Sequence, residues 1–335
     1  MSEETPPWSW RAPVTTSRRA ALLAVVGAAA ALSGCRGGPS LTPSPSSASP
    51  TSSSPTTSHA RFFGDPGPGR LYLGISLGID QLAASAPELG GTNATLSRRF
   101  YRPHQIALME QMLTEDVAAE IVPFVSFKTP GSWASVAAGE HDAWLDQLIA
   151  GLDALGSPAF LALHHEPEND VSGDNTAASW VEMQRRLITR TAGTPHVIAV
   201  PTLMSYTFQP HSGRRPHHWL VPEASVIGVD MYNPWREGNA GSWVEFADLY
   251  ADVASLVGEQ PVIVPEAGTT ADPFDPLRAA QWFRGAFDTA VREGLAGLAW
   301  FDSRLLGGQR RQLDRAARTK LRELSRRPEV YRFRP

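Results

Sequence analysis

A closed parallel (β/α)8 barrel is the fold this sequence predicts, and two observations predict it. Eight short apolar runs recur between Leu71 and Asp302, and segments with apolar residues at three- and four-residue spacing separate most of them. The runs are apolar with little alternation, as expected of strands buried on both faces beneath a layer of helices. A doubly wound open sheet is the alternative. Such a sheet normally brings a nucleotide site, and the chain has neither a glycine-rich dinucleotide fingerprint nor a Walker-type loop.

The first run is "LYLGIS" from Leu71, and the second is "ATLSRRFY" from Ala94, the most polar of the eight, which follows a poor helical segment. "HQIALMEQMLTED" is the first clear amphipathic helix, leading to "EIVPFVSF" from Glu120. "HDAWLDQLIAGLDALG", closed by a glycine, leads to "AFLALHH" from Ala159, and "AASWVEMQRRLITRTAG" leads to "HVIAVPTL" from His196. The place of the fifth helix is taken by "QPHSGRRPHHWLVPE", which reads mostly as loop. "SVIGVD" from Ser225, the helix "SWVEFADLYADVASLVG", "PVIVPEAG" from Pro261, the helix "PLRAAQWFRGAFDTAVREG" and "LAGLAWFD" from Leu295 complete the series. The basic C-terminal stretch carries Leu313, Leu321 and Leu324 on one helical face, so its charges read as the solvated side of a last helix.

The barrel is expected over residues 61–335, because what precedes it has the composition of an address and a tether. Arg18 and Arg19 stand before the apolar run "AALLAVVGAAAAL", which is short for a membrane span, and "LSGC" ends at Cys35; residues 1–35 therefore read as an export signal. "LSGC" resembles the bacterial lipobox, and the resemblance implies lipidation of Cys35, the single cysteine of the chain. The expected location is the outer face of a bacterial cell membrane, reached either by the general route or, given "TTSRRAALL", by a twin-arginine route. Residues 36–60 are Ser, Thr and Pro with almost nothing to bury, a disordered linker.

Without the first 35 residues the chain holds 27 Lys and Arg against 32 Asp and Glu, a mildly acidic balance that argues against a nucleic-acid partner. His211, His217 and His218 match no metal-ligand spacing, and neither a metal nor another cofactor is expected. No pattern specifies an oligomer.

In a barrel of this kind chemistry sits where strands end and βα loops begin. His164, His165, Glu166 and Glu168 follow the fourth run, and Asp230, Tyr232, Asn233 and Trp235 the sixth. Glu266 ends the seventh, Trp300 and Asp302 stand at the eighth, Phe127 and Lys128 end the third, and Arg99 and Tyr101 end the second. Glu166 and Glu266 thus share one mouth among aromatic side chains. That is the equipment of glycoside hydrolysis, in which one carboxylic acid protonates the leaving oxygen and one carboxylate attacks the anomeric carbon.

A glutamate after strand four, another after strand seven and a tryptophan at strand eight resemble the clan of retaining (β/α)8 glycosidases. The His165–Glu166 pair in "HHEPEND", its lead-in "GEHDAWLDQLIAGLDALGSPAFLALHHE" and "VIGVDMY" resemble glycoside hydrolase family 26, the β-mannanase type, over Leu71 to Asp302. The resemblance implies Glu166 as acid/base, Glu266 as nucleophile, His165 orienting the acid or binding the sugar, Tyr232 on the nucleophile and Trp300 as the floor under the sugar ring. Trp235 and Phe127 complete the expected substrate contacts. The chain departs from the family at Ala162, where an arginine is usual, and at "PEND", where Gly-x-Trp follows the glutamate. A retaining enzyme acting on a β-linked polysaccharide is expected, with carboxyl groups roughly 5–5.5 Å apart. The alternatives are a glycan-binding surface lipoprotein that has lost catalysis, and a metal-dependent hydrolase on the same barrel.

Overall fold

The computed structural model describes residues 60–78, 93–235, 242–303 and 313–334. The signal segment with Cys35, nearly all of the linker and the weak helical segment before Ala94 lie outside the described residues. Every expected run holds a strand. In chain order the elements are β1 (Tyr72–Leu77), β2 (Leu96–Tyr101), α1 (Ile106–Ala118), β3 (Val122–Phe127), α2 (Trp133–Ala137), α3 (Asp142–Asp153), β4 (Ala159–Leu163) and α4 (Ala177–Thr191). They continue with β5 (Val197–Ala199), β6 (Thr202–Met204), the one-turn α5 (Ser205–Phe208), β7 (Ile227–Tyr232), α6 (Phe246–Val257), β8 (Val262–Gly268), α7 (Arg278–Arg292), β9 (Gly297–Asp302) and α8 (Arg315–Leu324). Among the described residues no helix is long and apolar enough to cross a membrane.

All pairings are parallel, in the order β5-β4-β3-β2-β1-β9-β8-β7-β6. β5 and β6 are two halves of the single expected run "HVIAVPTL", divided at Pro201, whose missing N–H interrupts the ladder. Val200 N–H still donates to Leu161 O on the β4 side, and Pro201 O accepts from Gly228 N–H on the β7 side, both at 2.8 Å. One bent stave therefore joins β4 to β7 and closes the ring at eight staves. The joint is tight: a Cβ on Gly228 would lie 2.3 Å from Thr202 Oγ1.

Strand alternation sorts the core into two layers. Outward residues such as Leu73, Val125, Leu161, Val229, Val264 and Leu298 pack with Trp180 and Leu187 of α4 and Trp282, Phe283 and Phe287 of α7. Inward residues Tyr72, Leu96, Phe124, Phe160, Ile198 and Ile263 fill the base of the barrel, covered by Phe62, Tyr331 and Phe333. The helices start and stop on local chemistry. Thr176 and Ser179 form a capping box on α4, Asp314 Oδ1 accepts from Ala317 N–H at 2.7 Å on α8, and α6 ends at Gly258 with φ +62°.

Candidate active site

The upper half of the barrel interior is polar, and β2 supplies its centre. Arg98 and Phe100 point inward, whereas Arg99 and Tyr101 alternate outward; Arg99 pairs with Asp116 of α1 at 2.9 Å. Arg98 is 0 % exposed. Its guanidinium reaches three other staves: Asp230 Oδ1 of β7 at 2.6 Å, Glu266 Oε1 of β8 at 3.0 Å and Ser126 Oγ of β3 at 3.1 Å. The rings of Phe100 and Phe124 lie 4.8 and 5.1 Å from it. Burying a guanidinium costs several kcal/mol in lost hydration, which is offset only by partners this close.

Glu266 faces the mouth because β8 carries a bulge. Gly228 pairs with Ile263 and Met231 with Ala267, so β8 spends one more residue than β7 over that interval; against β9, Val264 pairs with Leu298 and Ala267 with Trp300. Strict alternation from the inward Ile263 would aim Pro265 at the axis and Glu266 at the helices. The extra residue reverses the parity, and Pro265, which has no N–H to lose, sits where the ladder is broken. Glu266 then takes Arg98 on Oε1 and the Tyr232 hydroxyl as donor to Oε2.

Glu166 reaches the mouth by backbone strain. His164 and Glu166 both adopt left-handed backbone, φ +51° and +50°, a region uncommon for residues with a side chain. His164 N–H donates to Phe127 O on β3 at 2.8 Å and Glu166 N–H to Thr202 O on β6 at 3.0 Å, so the turn is pinned to both neighbouring staves. Glu166 Oε1 is buried and has no hydrogen-bond partner among the described residues. Burial raises its carboxyl well above the ordinary range, and Asp230, Glu266 and Glu168 add to the rise against the opposing pull of Arg98. Asp230 is raised as well, by burial first, although Arg98 bonds it directly.

The two histidines part, but in the reverse of strand parity: with Phe160 and Ala162 inward, alternation would turn His164 to the axis, and the left-handed turn at His164 puts His165 there instead. His165 packs 5.1 Å from the Phe100 ring, and burial, Arg98, Lys128 and His164 lower its pKa well below the usual value, which leaves the ring neutral. His164 turns away to Asp170 Oδ2 at 2.8 Å and Lys128 Nζ at 3.0 Å. Burial alone would raise Asp170; the bonds from His164 and Lys128 overcome it and hold the carboxyl at about 2. Glu168 is a brace: its Oε1 accepts from Met204 N–H at 2.9 Å and Thr207 Oγ1 at 2.8 Å, fastening the Glu166 loop to the end of β6.

Three expected substrate contacts are corrected. Phe127 is 0 % exposed and stacks outward on Tyr101 at 5.3 Å, because the inward parity of β3 belongs to Phe124 and Ser126. Trp300 is also 0 % exposed and stacks on Phe283 of α7 at 4.1 Å; the inward position is its neighbour Phe301, edge-on to Tyr232 at 5.8 Å. Trp235 is packed within its own loop, 5.8 Å from Trp243 and beneath Arg278. Asp302 is likewise structural, bonded to Arg318 at 2.5 Å. Arg98, Phe100 and Phe301 were missed. The signal for Arg98 was present in "SRRF", since an arginine pair within a buried strand must find carboxylates on both sides of it; Phe100 and Phe301 had none, because apolar runs do not show their parity.

No family model and no curated protein matches the chain. Solved structures do. A modular endo-β-1,4-mannanase of glycoside hydrolase family 26 from Cellulomonas fimi aligns with a TM-score of 0.52 and 14 % identity over 80 % of this chain and 73 % of its own. A family 26 β-mannanase from Bacteroides ovatus gives 0.51 and 13 % over 79 % and 90 %. The fold is that of the family 26 mannanases. An exo-β-1,4-mannosidase from an Opitutaceae bacterium is comparably similar, with a TM-score of 0.54 and 14 % identity over 76 % and 59 %. At these identities the likeness is one of fold, and the chemistry rests on the residues in the mouth.

Proposed function

We propose that this chain is a retaining glycoside hydrolase cleaving a β-linked polysaccharide of the mannan type, anchored by lipid on Cys35 outside the bacterial cell membrane. One observation carries the reading. Two glutamates open into the same mouth in opposite surroundings, Glu166 with Oε1 unpartnered and its carboxyl raised by burial, Glu266 gripped by Arg98 and Tyr232. A carboxyl raised by burial facing a carboxylate anchored by two donors is suited to acid and nucleophile roles. The fold shared with mannanases and the His165–Glu166 pair support the same assignment.

In the first step Glu166 gives its proton to the glycosidic oxygen as Glu266 Oε attacks the anomeric carbon; the C–O bond breaks and a glycosyl ester forms. In the second, Glu166 as carboxylate takes a proton from water, whose oxygen displaces Glu266 and restores the starting configuration. Arg98 and Tyr232 set the direction of the Glu266 carboxylate and accommodate its change from anion to ester. Neutral His165 flanks the acid without adding a charge beside it.

The test is hydrolysis of mannan, glucomannan, mixed-linkage glucan and β-1,3-xylan by the full chain, beside Glu166→Ala and Glu266→Ala. Sugar release that disappears in Glu266→Ala, falls steeply in Glu166→Ala, keeps the anomeric configuration and persists in a chelator is the expected result. Undiminished release in either variant would remove the assignment. Glycan binding without hydrolysis by the unsubstituted chain would instead make it a binding lipoprotein.

A further inference from the structure

The loop that takes the place of a fifth helix is a cationic feature beside the mouth. From Thr202 to Pro222 it holds Arg214, Arg215, His211, His217 and His218 and no Asp or Glu, on a domain whose overall balance is acidic. It leaves the C-terminal end of β6, the same end of the barrel from which Glu166 and Glu266 project.

Within the loop three side chains form a cluster. Tyr206 is 40 % exposed, Arg214 Cζ lies 5.2 Å from its ring centre and His211 stands edge-on at 5.9 Å. Arg214 is positioned by neutral atoms: Nη1 donates to Thr207 Oγ1 at 3.0 Å and Nη2 to Asn169 Oδ1 at 2.5 Å, with Met204 Sδ at 3.5 Å. Among the described residues its remaining N–H groups are not committed to a carboxylate oxygen. Beneath it Glu168 spends Oε1 on Met204 and Thr207, and burial raises its carboxyl above the ordinary range against those bonds and the nearby guanidinium. Asn169 and Glu168 are the third and second residues after Glu166, so the cluster is bonded directly to the loop that carries the acid.

From this we infer that the rim after β6 is a subsite for an acidic sugar, with the sugar ring on the exposed part of Tyr206 and its anionic group on Arg214 and His211. The chemistry fits in each part. A guanidinium held in place by neutral partners keeps its charge for a ligand and offers a forked donor to a planar carboxylate or a sulfate, and an aromatic ring beside it takes the apolar face of a pyranose. A glycosidase that cleaved only neutral chains would have no use for a rim loop with arginines and no carboxylate of its own next to its acid. This inference rests on the glycosidase reading and narrows it to polysaccharides bearing uronate or sulfate-ester groups.

Calorimetry with the full chain carrying Glu266→Ala, so that nothing is consumed, compares β-1,4-mannuronate oligosaccharide, sulfated β-1,4-manno-oligosaccharide and neutral manno-oligosaccharide of equal length. At low salt at least one anionic ligand is expected to bind about fivefold or more tighter than the neutral one, with the advantage lost at high salt and in Arg214→Gln. Which anionic ligand wins separates a carboxylate site from a sulfate site. Because Arg214 also braces the loop, His211→Ala and Arg215→Gln provide exposed substitutions that should each reduce the same advantage. Equal affinity for all three ligands, or an anionic preference untouched by all three substitutions, overturns the inference. Hydrolysis of a neutral polysaccharide alongside equal affinities would sink the acidic subsite alone; tight anionic binding with no hydrolysis, by the unsubstituted chain, of either the neutral panel or polymannuronate and sulfated mannan would sink the glycosidase reading alone.

Discussion

Glu166 and Glu266 differ only in surroundings, and the surroundings of Glu166 tie stability to pH. Glu266 receives a guanidinium and a hydroxyl, whereas Glu166 receives no hydrogen bond on Oε1 and faces the negative ends of Asp230 and Glu266. A carboxyl whose folded pKa is raised binds its proton more tightly folded than unfolded, so stability is fully present below the unfolded value and is lost as pH rises through the folded one. Glu166→Gln keeps the shape and removes the titration. It is therefore expected to stabilise the protein by roughly 0.5–2 kcal/mol above neutral pH, with the gain shrinking towards zero as pH falls to the ordinary glutamate range near 4. Urea unfolding of the two proteins across that pH series measures it; a gain that is constant with pH, or grows on the acid side, would contradict the assigned environment. The same titration places the alkaline limb of the activity profile, where Glu166 loses the proton it must donate.

At the scale of elements, the strands were legible in the sequence and their faces were not. Eight runs became eight staves because apolar length and glycine-bounded spacing report burial and turns. Runs apolar on both sides give no parity, so Phe127 and Trp300 could be placed at the mouth when their strands turn them to the helix layer. The β8 bulge at Pro265 had a visible sign, a proline inside an otherwise central strand, and it is what brings Glu266 inward. Pro201 marked the other irregularity, the split stave whose halves join β4 to β7. Close packing at that joint is measurable. Gly228→Ala places a Cβ against Thr202 and is expected to cost about 1–3 kcal/mol. Thr202→Ala removes the atom it meets, so the double variant should lose less than the two single losses combined. Additive losses in a denaturant double-mutant cycle would show that the joint has room to spare.

Across the whole molecule the barrel separates the residues that hold it together from those that react. The base is aromatic and buried: Phe160 stacks on Phe124 at 5.8 Å and meets Tyr72 and Phe62 edge-on at 6.1 and 5.7 Å. Moving up the axis, the next inward positions are Arg98, Ser126 and Asp230, and above them stand Glu166, Tyr232, Glu266 and Phe301. The apolar layer can bear the cost of the buried charges because it is continuous around all the staves, and the charged layer can stay strained and under-bonded because it is not asked to stabilise the fold. Substitutions at the two levels should therefore have separable effects. Phe160→Ala opens a cavity at the base and is expected to cost about 3–5 kcal/mol, seen as a lower urea midpoint. Below that midpoint the remaining folded protein should keep the unsubstituted pH profile, since the ring contacts of Phe160 are with Phe62, Tyr72 and Phe124. A shifted alkaline limb in that variant would mean that packing at the base sets the environment of Glu166, and that the two levels of the barrel are one cooperative unit.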